Sequence, residues 1–81
     1  MVALSPTEAR LALTFIRSFG AVVTEADLGR SAWPDGPWAA NALRVHLTRL
    51  RHRIAPLGLE IRRIRSQGLI LQDRRDLPLE G

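Results

Sequence analysis

The sequence predicts an α+β domain: three helices followed by a C-terminal β-hairpin. Three observations carry this. Two helix starts with capping chemistry lie within the first 27 residues. A long helical segment downstream is apolar on one side and basic on the other. Two β-prone runs, joined by a turn that holds a glycine, follow it.

The first start is Ser5-Pro6-Thr7-Glu8. Ser5 can cap, Pro6 suits the first helical position, and Glu8 can reach back to close a capping box. Ala12, Phe15, Ile16 and Phe19 recur at spacings of three and four, which predicts an amphipathic stripe and a helix over residues 6–19. Gly20 supplies the left-handed stop. Val22 and Val23 read as a short extended link. Thr24-Glu25-Ala26-Asp27 repeats the capping logic, with Val23 and Leu28 placed as a hydrophobic staple. This second helix ends near Ala32 or Trp33, because Pro34-Asp35-Gly36-Pro37 breaks any helix. Both tryptophans that flank the break, Trp33 and Trp38, are expected to pack.

The third helix is predicted from Trp38 or Ala39 to Ile54, before Pro56 and Gly58. At 100° per residue, Leu43, Leu47, Leu50 and Ile54 fall within a sector about 60° wide, the core seam. Asn41, Val45, Thr48 and His52 lie opposite, flanked by Arg44 and Arg49, while Arg51 and Arg53 sit nearer the seam on its two sides. Residues 59–64 and 69–72 are the β-prone runs, and Gly68 fits a positive-φ position between them. The expected domain is 1–73. Residues 74–81, charged and holding Pro78, are expected to fray.

Composition narrows the function. At 81 residues the chain is one domain, and its 46% hydrophobic content places it among folded chains rather than disordered ones. It has no Cys, so disulfides and thiolate metal sites are excluded. No apolar run approaches the ~20 residues needed to span a bilayer, and the N-terminus is a poor signal peptide. The expected location is therefore the cytoplasm or nucleoid, with no membrane. Residues 41–65 carry seven Arg against one Glu, whereas the segments on either side each hold one more acid than base. That concentration on one amphipathic helix and its neighbour is the electrostatic footprint of phosphate-backbone binding. All 12 basic residues are Arg, whose planar guanidinium gives bidentate contacts to phosphate and guanine.

Three helices, a basic third one and a terminal hairpin describe a winged helix-turn-helix. The residues resemble one family in particular, the C-terminal DNA-binding domain of OmpR/PhoB-type response regulators. Its first helix opens with a T-P-T-E-F-like phrase, here Ser5-Pro6-Thr7-Glu8-Ala9. Its second follows G-x-V-V-S and ends in V-W, here Gly20-Ala21-Val22-Val23-Thr24 and Ala32-Trp33. Its recognition helix reads like R-T-V-D-V-H-I-x-R-L-R-x-K-L. Here Asn41-Ala42-Leu43-Arg44-Val45-His46-Leu47-Thr48-Arg49-Leu50-Arg51-His52-Arg53-Ile54 keeps V-H and R-L-R. Its wing reads like T-V-R-G-x-G-Y, here Arg63-Ile64-Arg65-Ser66-Gln67-Gly68-Leu69. Asn41 and Arg44 replace a basic and an acidic residue, which implies a different base preference. Leu69 replaces an aromatic, Ser66 a Gly, and Ala9 a bulky aromatic. The family's N-terminal sheet is reduced to residues 1–4. No receiver domain fits in this length, so regulation by aspartyl phosphorylation in cis is not expected of these 81 residues.

Position and resemblance together imply sequence-specific binding of double-stranded DNA by a transcriptional regulator. The third helix would lie in the major groove and the Arg65 hairpin in the adjacent minor groove. Arg49 is the leading base reader, to a guanine edge. Asn41 reads adenine or holds a phosphate near the helix N-terminus, Val45 suits a thymine methyl, and Arg44 and Thr48 touch bases or backbone. His46 and Arg51 match family positions that hold phosphates, and His52 completes the outward face. Arg62 and Arg63 are weaker backbone candidates. His46 and His52 lie about 120° apart around the helix, so they form no metal face. Glu8 and Asp27 read as helix-start groups. The residues offer no nucleophile–base–acid set, glycine-rich phosphate cradle or metal spacing, so neither an enzyme nor a cofactor is expected. The competing reading is a winged-helix interaction module that binds RNA polymerase or another regulator through the loop between Trp33 and Trp38. Non-specific nucleoid or RNA binding is a third. Self-association on tandem sites would use outward-facing Leu11 or Leu13.

Overall fold

The computed structural model describes residues 4–74. Helix α1 (Pro6–Arg17) begins as its sequence requires: Ser5 Oγ accepts from the Glu8 N–H at 3.2 Å, and Glu8 Oε1 accepts from the Ser5 N–H at 2.9 Å. Helix α2 (Glu25–Ala32) is capped by Thr24, whose Oγ1 accepts from the Asp27 N–H at 3.1 Å. The staple pair Val23 and Leu28 is buried. Helix α3 (Ala40–Ile54) runs into a 3₁₀ turn, Ala55–Leu57, which closes at Gly58.

Strands β2 (Leu59–Ile64) and β3 (Gly68–Asp73) form the hairpin, with Ile61 opposite Leu71 and Ile64 opposite Gly68. Val22 and Val23 are more than a link. They form β1, which pairs antiparallel with Ile70 and Leu69 on the other edge of β3 and makes a three-stranded sheet of order β1-β3-β2. At the end of the hairpin, the Arg74 N–H donates to the Gly58 carbonyl at 2.8 Å. Of the segment 74–81 expected to fray, Arg74 is thus held to the hairpin, and 75–81 lie outside the described residues, as do residues 1–3 of the proposed N-terminal stub.

The core joins the two layers. Leu11 and Phe15 of α1, Leu28 and Ala32 of α2, and Leu43, Leu47, Leu50 and Ile54 of α3 meet Val23, Ile61, Leu69 and Leu71 of the sheet. The α3 seam is thus the one expected. The α1 stripe is not. Phe15 is buried and Ala12 half-buried, but Ile16 is 60% exposed and Phe19 50% exposed, while Glu8 and Leu11 are buried instead. Helix α1 is rotated toward α2 and α3 by about half a residue step relative to the apolar pattern. It also ends at Arg17, two residues early: Ser18 and Phe19 donate to the carbonyls of Phe15 and Ile16, a tightened i→i+3 ending that carries Phe19 off the helical face. Leu11, offered above as a self-association contact, is fully buried; Leu13 remains 47% exposed.

Candidate nucleic-acid interface

Helix α3 is held from three sides. Its seam packs on α1 and β2. The His46 ring lies against Trp33, with centroids 5.6 Å apart and planes at 59°, which ties α3 to the end of α2. Near its C-terminus, the Arg53 Nε donates to Glu8 Oε2 at 3.1 Å, which ties it to the start of α1. Those anchors leave one continuous outward face, on which Asn41, Arg44, Val45, Thr48, Arg49 and His52 are all exposed. Val45, at 49%, is an exposed apolar residue in the middle of that face. Thr48 returns its hydroxyl hydrogen to the Arg44 carbonyl at 3.0 Å and keeps its oxygen lone pairs outward.

The remaining expected site residues are placed as follows. His46 is half-buried, and its Nδ1 has no partner among the described residues. Arg51 is exposed on the opposite flank, where it walls a cleft with Ala55, Leu59, Glu60, Ile61 and Arg74; it faces the sheet rather than the central face. Arg65 is exposed at the hairpin tip, where the Gln67 N–H closes the turn on the Ile64 carbonyl at 3.1 Å and Ser66 sits at φ 63°.

Electrostatics sort the arginines. Arg30 pairs with Asp27, Arg53 with Glu8, and Arg63 with Glu25 at 2.6 Å. Arg44, Arg49 and Arg65 make no ion pair among the described residues. Helix α3 has no acid in its first turn and no side-chain cap at Ala39, so its leading N–H groups face outward without a side-chain acceptor. Burial pushes the Glu8 carboxyl up, but the Ser5 N–H, Arg53 and the Ser5 hydroxyl outweigh it and hold the group below its ordinary 4.5.

By its position in the sequence Glu8 is a helix-start group, and nothing local gives Arg53 a role. The available signal was the second carboxylate oxygen of a capping-box Glu, which the cap leaves without a partner. The α2–α3 loop also differs in character from an aromatic docking loop. Trp33 and Trp38 both pack against the core, and a Cβ built on Gly29 would fall 2.0 Å from Trp38 Cε2, so the indole lies directly on α2. Residues 34–37 and Ala39 are the exposed part of this loop. Among the described residues, no helix is long and apolar enough to cross a membrane, and no group of three or more His, Cys, Asp or Glu could hold a metal ion.

This arrangement defines a winged helix-turn-helix: α2 and α3 as the helical pair, and the β2–β3 hairpin as the wing. The family described as transcriptional regulatory protein, C terminal, matches residues 1–71, and the chain belongs to it. It is therefore a DNA-binding domain of a transcriptional regulator of OmpR/PhoB type, a family that is not an enzyme class. Among solved structures, it is similar to the C-terminal domain of the nisin resistance regulator NsrR, a lantibiotic response regulator. The TM-score is 0.75 and the identity 36%, over 89% of this chain and 76% of that one. No curated protein matches.

Proposed function

We propose that the domain binds double-stranded DNA sequence-specifically, with α3 in the major groove and the Arg65 wing in the adjacent minor groove. One observation carries this reading: an uninterrupted exposed face of α3 that holds Asn41, Arg44, Val45, Thr48, Arg49 and His52, without an acid or an internal ion pair among the described residues. Burying such a face against another protein would leave its cations unpaired, at a cost, unless the partner supplied a matching set of carboxylates; setting it between two phosphate walls pairs them. In this reading Arg49 reads a guanine edge, Asn41 an adenine edge or a phosphate at the uncapped helix start, and Val45 a thymine methyl. His46 and Arg51 hold phosphates on the two flanks.

Roughly six to eight phosphate contacts would lose on the order of a thousandfold in affinity between ~50 and ~200 mM salt. The test is selection from a random-sequence duplex pool, followed by titration of the winner and a scrambled control. An enriched motif supports the proposal; no enrichment refutes it in favour of non-specific binding or an interaction module. Arg49→Ala should cost about 1–3 kcal/mol and relax discrimination at one base pair. Equal weakening on all sequences would make Arg49 a backbone contact instead. A footprint on the selected duplex counts half-sites. Tandem protection would implicate the exposed apolar residues of α1 and its end, Leu13, Ile16 and Phe19, as contacts between neighbouring copies.

A further inference from the structure

Glu8 is 1% exposed, although closing a capping box does not require burial: Ser5, the other half of the same box, is exposed to solvent. The difference is Arg53. Glu8 Oε1 closes the cap, and Oε2 accepts from Arg53 Nε at 3.1 Å, across 45 residues of sequence. A guanidinium carries five N–H donors in a rigid planar fork. One is spent on Glu8; the four on the Nη atoms meet no acceptor among the described residues. The Arg53 side chain is 44% exposed and, with Thr48, Arg49 and His52, walls an open hollow of about 410 Å³ on the outer flank of α3. Arg49 and Arg53 are one turn apart on this flank, about 6 Å along the axis.

We propose that Arg53 is a further phosphate-binding residue of the interface and that buried Glu8 is its positioning residue. The carboxylate fixes the Nε edge of the fork, so the Nη edge is already oriented beside Arg49 when the backbone arrives. An ammonium could not serve both partners through two separate edges. This rests on the reading of the outer face of α3 as the DNA surface, and extends that surface by one turn toward α1.

The test is fluorescence anisotropy on a mixed-sequence duplex over ~50 to ~200 mM salt, at a temperature below the melting transition of each variant. Arg53→Gln should lower the salt slope by about one, making the loss across that range about threefold smaller than in the unmodified chain. Glu8→Gln keeps an acceptor for the cap but removes the charge that orients Arg53. It should weaken binding about two- to tenfold, the usual effect of freeing one long side chain. Simple electrostatics predicts the opposite, because a negative charge has been removed. In the Arg53→Gln background, Glu8→Gln should cause no further loss. An unchanged slope in Arg53→Gln overturns the proposal, as does tighter binding by Glu8→Gln or an additive loss in the double variant. If Glu8→Gln does not fold, the slope of Arg53→Gln decides alone. A flat salt response in the unmodified chain would instead overturn the underlying reading of α3.

Discussion

Replacing Gly68 by Ala should detach the wing from the body of the domain. Gly68 opens β3 at φ 149°, and a Cβ added there would lie 2.2 Å from the Val23 carbonyl oxygen and 3.0 Å from Thr24 Cα. Those are backbone atoms of β1 and the α2 cap, so no rotamer relieves the overlap. The φ strain alone is worth about 1–3 kcal/mol. Relieving the overlap means opening the two β1–β3 pairs, Val22 with Ile70 and Val23 with Leu69, and partly exposing Val23 and Leu69, which adds about 1–2 kcal/mol. The sum is about 3 kcal/mol, enough to lower Tm by on the order of 15 °C in a chain this size. Gly58 provides the control. It sits at φ 79° with nothing within 4 Å of its added Cβ, so Gly58→Ala carries the strain without the overlap and should cost about 1 kcal/mol. Urea unfolding followed by circular dichroism measures both. Equal losses in the two variants would refute the argument, because the contact between wing and β1 would then contribute nothing.

Three other outcomes are expected. Ser66 occupies the left-handed region at φ 63°, so Ser66→Gly should stabilise by about 0.5 kcal/mol, the relief of strain exceeding the added chain entropy; a lower urea midpoint would contradict this. Gly29→Ala gains helix propensity of about 1 kcal/mol but drives its Cβ into Trp38, for a net loss of about 2 kcal/mol and a red-shifted tryptophan emission; unchanged emission would mean that the indole does not rest on α2. Because Glu8 titrates below its ordinary 4.5 in the folded state, its contribution is complete above that value and is lost as pH falls through the lower folded value. The urea midpoint should therefore drop on acidification below about pH 4.5, and drop less in Glu8→Gln; parallel pH curves for the two would remove Glu8 from the account.

The elements were legible where the signal is local. Ser5 with Glu8 and Thr24 with Asp27 mark helix starts through contacts three residues apart, and Leu43, Leu47, Leu50 and Ile54 mark a seam narrow enough to admit one orientation. Helix α1 shows the limit. Leu11, Ala12, Phe15 and Ile16 form an apolar band too wide to fix the rotation, and the choice was made by Glu8, a residue that any hydropathy count assigns to solvent. The pairing of Val22 and Val23 with Ile70 and Leu69 was equally hidden, because two residues of extended chain carry no period to read. The outward face of α3 followed from its seam by subtraction. The tie from Glu8 to Arg53, like that from Glu25 to Arg63, joins residues 45 and 38 apart in sequence, and depends on how helices dock rather than on how each forms.

Those long-range ties determine how the interface should fail. Helix α3 is fixed by the leucine seam beneath it, by His46 against Trp33 on α2, and by Arg53 against Glu8 on α1. A phosphate contact tolerates a small displacement of a long arginine, because the field around the backbone varies slowly with position. A bidentate contact between Arg49 and a base edge does not, since both hydrogen bonds depend on angle. Loosening the support at Trp33, which leaves the Glu8–Arg53 tie in place, should therefore erode discrimination between selected and scrambled duplexes before it erodes affinity for the scrambled one. Gly29→Ala, which acts beneath the loop that holds Trp33 and Trp38 and touches no residue of the outer face, is the cleanest probe of that order. Its selected-to-scrambled ratio should fall while its scrambled-duplex affinity and salt slope stay near those of the unmodified chain. The reverse order would mean that the supports serve stability alone and that α3 finds its register on the DNA.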